Sequence, residues 1–167
     1  GERVLVGVAD VPRRRQSLEG LVAGLDPDGL AVASWGALAE WPALARRVED
    51  AGFSTLLVAD HFTNPMACGP LIATAAAATT TLRVGSYVYN NDFRHPALLA
   101  MECATLSRLH PGRFWPGVGL GVPFWLQQMG LLPRSPLGAV RECVESLRRL
   151  LAGEELSAEG LFTFDQV

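Results

Sequence analysis

What this 167-residue chain has little of narrows its class first. Long apolar runs are missing: none approaches the eighteen or so residues that a membrane helix needs. No secretory signal stands at the start. The chain opens on Gly1 rather than Met, as expected of a missing or processed N-terminus. Charge is sparse and nearly balanced. Charged residues make up 19% and the net charge is -3, so no basic field exists to hold nucleic acid. The densest basic run is Arg13, Arg14 and Arg15, either a solvated loop or a contact for an anion or a partner. Cysteine is scarce and odd in number: Cys68, Cys103 and Cys143, with no CxxC spacing. They are expected to be reduced thiols in a cytoplasmic protein. No His, Cys, Asp and Glu cluster has metal-ligand spacing, and no sequence repeat is present. With 49% hydrophobic residues, the chain is expected to form one soluble domain over residues 1–167, with neither membrane nor nucleic acid as partner.

The apolar pattern then supplies an order of elements. Val4–Ala9 (VLVGVA) is a buried-strand candidate. The stretch from Arg13 to Ser34, with its charge and Asp-Pro-Asp-Gly signal, is expected to be loop or insertion. Trp41, Leu44, Ala45, Val48 and Ala51 predict a helix from about Leu38 to Ala51, closed by Gly52. Phe53–Ala59 (FSTLLVA) is a second strand, ending in Asp60-His61. Pro70 is expected to open the alanine-rich helix that follows. Leu82–Tyr89 is a third strand, Pro96 opens another helix, and Arg113–Gly121 forms a fourth strand with its loop. A last helix from Pro136 to Ala152 is stopped by Gly153, and the tail is expected to form a short hairpin. Strand followed by helix, repeated, argues an α/β fold with a parallel sheet and right-handed crossovers. The closure is either a doubly wound open sheet or part of a (β/α)8 barrel, and a complete barrel needs about 250 residues.

In both closures chemistry belongs at the C-terminal ends of the strands. There the sequence places Asp60 and His61, then Asn90, Asn91, Asp92, Arg94 and His95, then Gly117, Gly119 and Gly121. An aspartate–histidine pair can bind a planar heterocycle and move protons; His61 can equally be a loop or capping residue. His95, just before Pro96, is expected to cap a helix, and Asp92 and Arg94 to pair across the turn. The glycines read GxGxG, not the GxGxxG of dinucleotide sites, and Pro123 is expected to delay any helix. Glycines that let a flat ring approach the backbone fit better.

Three stretches carry a resemblance: "RRVEDAGFSTLLVADHF", "PLIATAAAATTTLRVGSYVYNNDFRHPALLAMECATLSRLHPGRFWPGVGLG" and "VRECVESLRRLLAGEELSAEGLFTF". From Leu38 to Phe164 the chain resembles the luciferase-like monooxygenase superfamily, most closely the branch that uses the deazaflavin coenzyme F420. That resemblance implies a (β/α)8 barrel, here with its first four βα units. It implies an oxidoreductase passing a hydride between F420, or less readily reduced FMN, and a small organic substrate. It assigns Asp60 and His61 to catalysis beside the ring, with Asp60 orienting His61 or bonding the cofactor. Ser86, Tyr87 and Val88 correspond to a bulge behind the ring, with a non-proline cis peptide expected at Tyr87–Val88. Asn90 corresponds to a cofactor hydrogen-bonding position, and Gly119 and Gly121 to the pocket lining.

The sequence departs from the family pattern in three places. Val122 stands near the position of a glutamate proton donor found in some relatives, which argues against a sugar-phosphate dehydrogenase mechanism through that acid. Pro116 interrupts the fourth strand, where proline suits an edge or a bulge. The chain ends where the family continues into further strands. A fragment of a longer enzyme and a half-barrel completed by a second copy, as a homodimer, both remain open. The competing reading is a relative that has lost its redox cofactor and serves as a binding or scaffold protein, or as a cyclase-like enzyme in a biosynthetic pathway.

Overall fold

The computed structural model describes residues 30–33, 38–62 and 66–167. Among these, four strands form one parallel sheet in the order β1-β2-β3-β4. They are β1 (Leu30–Ala33), β2 (Thr55–Val58), β3 (Arg83–Asn90) and β4 (Phe114–Gly119). Helix α1 (Trp41–Asp50) follows a 3-10 turn at Leu38–Glu40 and precedes β2. Helix α2 (Cys68–Ala78) links β2 to β3, and α3 (Pro96–Leu109) links β3 to β4. Two helices, α4 (Pro123–Gln128) and α5 (Pro136–Leu151), come after β4. Consecutive strands lie side by side, each pair joined by a helix, which is the partial (β/α)8 arrangement that the resemblance implies and one of the two closures the order of elements left open.

Alternation along the strands divides the sheet into two faces. Leu56, Val58, Val84 and Phe114 turn toward the helices and are buried with Leu71, Ile72 and Ala75 of α2 and Leu99, Cys103 and Leu106 of α3. Cys143 and Leu147 of α5 join the same core. On the other face, a Cβ added to Gly85 would meet Leu57, and the Arg83 guanidinium lies 4.2 Å over the Trp115 ring. That face is the concave one in a barrel, and Trp115 on it is 39% exposed.

Some sequence expectations shift. The Val4–Ala9 strand lies outside the described residues. Leu30–Ala33, expected as loop, is β1: it pairs in register with Thr55–Val58, and a four-residue strand beside a strong turn signal has too little pattern to show alone. The helix after β2 begins at Cys68, two residues before Pro70. Pro123 does not delay a helix; it opens α4 at its first turn, where its missing N–H costs nothing. Gly52 and Gly153 close their helices with φ of +86° and +84°. The tail folds back as expected, with Ala158 bridged antiparallel to Phe164 and Leu156 bonded to Val167.

Two carboxylates and one guanidinium lock the connections. Glu49 of α1 accepts from the backbone N–H groups of Thr80, Thr81 and Leu82 in the turn before β3, at 2.9, 2.6 and 2.8 Å. Burial pushes this carboxyl up, but the Thr81 and Leu82 amides, the Thr81 hydroxyl and the Thr80 amide outweigh it and hold it down at about 2. Arg113, leading into β4, donates to the Ala76 carbonyl and Thr79 hydroxyl at the end of α2 and to the Leu82 carbonyl, satisfying acceptors a helix terminus leaves open. Glu142 of α5 accepts from the Leu161 and Phe162 amides and ties down the tail.

Candidate functional site

Parallel register determines what meets at the strand ends. Val58 lies opposite Ser86, so Asp60, two residues on, reaches the end of β3. Asp60 is 8% exposed, and its Oδ2 accepts from the Asn90 backbone N–H at 3.1 Å. Its Oδ1 accepts from Arg94 Nη2 at 3.1 Å, and Arg94 Nη1 sits 3.0 Å from Oδ2, outside hydrogen-bonding geometry. Arg94 therefore pairs with Asp60 across the strands, not with Asp92 as expected. Burial disfavours the Arg94 charge, but the Asp60 bond and charge more than compensate. The guanidinium also lies 5.0 Å over the ring of Tyr89, whose hydroxyl donates to Glu102 at 2.7 Å. Burial, reinforced by the Glu102 bond, pushes the Tyr89 phenol up, keeping it a protonated donor.

No hydrogen bond joins Asp60 to His61 among the described residues. Both Asp60 oxygens are engaged at the β3 end, by the Asn90 N–H and by Arg94. His61 is exposed, and its ring meets Trp125 of α4 edge-on at 5.2 Å. Phe62 stands edge-on to the same indole at 5.7 Å and to Phe93 at 6.3 Å. This aromatic rim spans the ends of β2, β3 and β4. Sequence reasoning missed Trp125 because α4 itself was missed.

The expected bulge is present: the β3–β4 register shifts between Ser86 and Tyr89, and the Tyr87–Val88 peptide is cis. Pro116, without an N–H, lies opposite Ser86 at this point. There the Ser86 hydroxyl donates to the Gly117 carbonyl at 2.7 Å and accepts from the Gly117 N–H at 3.0 Å. A side chain thus supplies bonds that the ladder lacks where a bulge meets a proline. Neighbouring side chains fill the space beside Gly119 and Gly121. A Cβ on Gly119 would come within 2.8 Å of Val88, and one on Gly121 would strike the Asn90 amide. These glycines make room for Val88 and Asn90.

Asn90 is 4% exposed and fixed on several sides. Its N–H is held by Asp60, its Oδ1 accepts from the Asp92 N–H at 2.9 Å, and Gly121 packs against its amide. The next residue, Asn91, donates its N–H to the Gly119 carbonyl at 3.1 Å. Nδ2 of Asn90 makes no hydrogen bond among the described residues and is the group left to offer a ligand. Asn91 Nδ2 donates to Asp92 Oδ1 at 2.9 Å, while Asn91 Oδ1 and Asp92 Oδ2 are buried without a partner. Burial pushes the Asp92 carboxyl up, only partly offset by Asn91.

His95 takes the capping role expected of it. Its Nδ1 accepts from the Ala97 N–H at 3.2 Å, and its Nε2 lies 3.1 Å from the Thr163 carbonyl. That pattern fits a neutral ring protonated on Nε2. The three cysteines are free and buried. Cys68 is pushed up by burial and then by the Asp60 charge, Cys103 to about 12 by burial and then Glu102, and Cys143 to about 11 by burial and then Asp92. They are protonated core residues, as expected of reduced thiols. No group of three or more potential ligand side chains could hold a metal among the described residues, and no helix there is long and apolar enough to cross a membrane.

Comparison with known proteins agrees with this layout. Over 118 residues the chain is 30% identical to 5,10-methylenetetrahydromethanopterin reductase of Archaeoglobus fulgidus, covering 70% of this chain and 35% of that protein. It is 32% identical over 121 residues to the F420-dependent glucose-6-phosphate dehydrogenase of Segniliparus rotundus, covering 65% and 36%. The fold superposes on the coenzyme F420-dependent tetrahydromethanopterin reductase of Methanopyrus kandleri with a TM-score of 0.71 at 25% identity, covering 82% of this chain and 44% of that one. The chain thus spans about a third of the length of the first two relatives. The family model for luciferase-like monooxygenases matches residues 20–167, nearly the whole chain, and this protein belongs to that family.

Proposed function

We propose that this chain contributes the coenzyme half of an F420-dependent oxidoreductase site that acts on a small organic substrate. The observation that carries the reading is the Asn90 amide: buried, held on its backbone and Oδ1 sides, and left with a free Nδ2 donor at a barrel mouth. Two of the relatives compared above are named for coenzyme F420, which favours it over FMN. The residues present fit a flat heterocycle with a polar edge. Val88, over the small surface of Gly117 and Gly119, and half-buried Leu57 offer an apolar backing. Asn90 Nδ2 offers a donor to the edge, and the His61–Trp125–Phe62 rim offers an aromatic border. When bound, the deazaflavin supplies the hydride-accepting carbon.

The chain's own residues then do the following. Asn90 binds and orients the ring edge through Nδ2, its carbonyl kept away by the Asp92 N–H. Ser86 keeps β3 and β4 together around the bulge, so Val88 holds one position. The aromatic rim excludes water from the substrate side, where hydride transfer must outrun proton leakage. His61, exposed and adjacent to Trp125, holds or passes a proton at its imidazole. Asp60 acts at one remove, through the Asn90 backbone.

Titration with oxidised F420 and with FMN, followed by coenzyme fluorescence, tests the proposal. Saturable binding of F420 below tens of micromolar, tighter than FMN, is expected. Binding of neither would leave the reading without a redox cofactor. In the F420-loaded protein, His61→Ala should slow hydride transfer by at least about 100-fold, a usual value for a proton-transfer group, with little change in coenzyme affinity. Full activity in that variant would remove His61 from the chemistry.

A further inference from the structure

We infer that Arg94 is a positioning residue for the Asn90 amide, acting through Asp60; the inference rests on the coenzyme reading above. The chain of contact is continuous. Arg94 Nη2 donates to Asp60 Oδ1 at 3.1 Å while Nη1 lies 3.0 Å from Oδ2. The same Oδ2 accepts from the Asn90 N–H at 3.1 Å. Asn90 Oδ1 in turn receives the Asp92 N–H, and Gly121 leaves that side chain one place to lie. Arg94 makes no hydrogen bond to the Asn90 side chain among the described residues, so its hydrogen-bonded route to Nδ2 passes through Asp60.

Several features make this more than a surface ion pair. The side chains of Arg94 and Asp60 are 23% and 8% exposed, so removing the cation strands a buried carboxylate. Arg94 is held from a second direction by the Tyr89 ring, which is fully buried and anchored to Glu102. The guanidinium is therefore fixed before Asp60 leans on it. Asp60 is also the sole described side chain bonded to the Asn90 N–H, at the residue where β3 leaves the sheet. Without the cation, the carboxylate is expected to turn toward water, releasing the Asn90 N–H and the amide with it.

A double-mutant cycle on F420 affinity tests the route. Arg94→Met should weaken F420 binding about tenfold, the size of one well-placed hydrogen bond. Asn90→Ala should weaken it similarly. In the Asn90→Ala background, Arg94→Met should add nothing, because its effect has lost its carrier. Losses that multiply in the double variant overturn the inference. Arg94→Lys covers the case in which the Met variant does not fold: it keeps a cation for one Asp60 oxygen and should recover part of the affinity. Equal loss with Lys and with Met counts against the pairing. A readout without coenzyme separates this inference from the function it rests on. In the free protein, the side-chain NH2 of Asn90 should be ordered on the nanosecond timescale by NMR relaxation. It should become mobile in Arg94→Met and, to a lesser degree, in Arg94→Lys, with Gln127 and Gln128 unchanged as controls. An Asn90 amide equally ordered with and without Arg94 refutes positioning even where F420 binds. Should the wild type bind no F420, the function fails, and the NMR comparison still decides the role of Arg94.

Discussion

Removing the Glu49 carboxylate tests the logic of the helix-to-strand turn most sharply. Three backbone N–H groups and the Thr81 hydroxyl, the last at 2.9 Å, converge on this one side chain. In Glu49→Ala, water can reach the exposed Thr80 and Thr81 amides, so each of those losses costs a few tenths of a kcal/mol. Leu82 is 1% exposed, and its N–H would be left nearly dry, costing about 1–2 kcal/mol. The sum is about 2 kcal/mol. For a chain of this size that lowers the thermal midpoint by roughly 4–8 °C. The pH dependence fixes the mechanism. A carboxyl lowered from 4.5 to about 2 contributes stability that is present above pH 4.5 and is lost as pH falls toward 2. Solvent screening at this half-exposed site keeps that contribution well below the full value of the shift. Urea unfolding of wild type, Glu49→Gln and Glu49→Ala at pH 7 and pH 3 is the assay. The gap between wild type and Ala should be widest at pH 7 and narrower at pH 3, with Gln intermediate. A gap of equal size at both pH values, or a Gln variant as stable as wild type, would refute the charged-acceptor account.

Other outcomes follow from the same geometry. Gly85→Ala drives a Cβ into the Trp115 carbonyl, so the β3–β4 pairing must open; a loss above about 3 kcal/mol in urea unfolding is expected, and a loss below about 1 kcal/mol would show that the strands can shift apart freely. Gly121→Ala displaces the Asn90 amide and should weaken F420 by at least about fivefold while the unfolding midpoint changes little; unchanged affinity would take Asn90 out of the coenzyme site. Self-association, expected from the sequence, is proposed to use α3, where Leu98, Met101 and Leu109 are 56%, 64% and 63% exposed. Light scattering should give the mass of two chains, and Met101→Glu should give that of one. A wild-type monomer at every concentration would end that proposal.

Much of this protein could be read directly from its sequence, and the reason is local. Continuous apolar strands, helical spacing and proline or glycine at helix ends act within a few residues, so β2, β3, α1, α3 and α5 and their order were all legible. The motif around Ser86 to Asn90 was legible through its resemblance to the luciferase-like family, whose motif there lies on consecutive positions. What the tertiary structure decided is how distant residues share one partner. Arg94 answers Asp60, 34 residues away, and not its neighbour Asp92, because parallel register brings the ends of β2 and β3 together. Gly119 and Gly121 are small because Val88 and Asn90 lie over them, a fact of strand packing that no spacing reveals. Leu30–Ala33 becomes a strand because β2 offers its edge. Period and capping lie along the chain; register and close approach exist once strands pair, so pairing alone could show that Asp60 ties Arg94 to the end of β3.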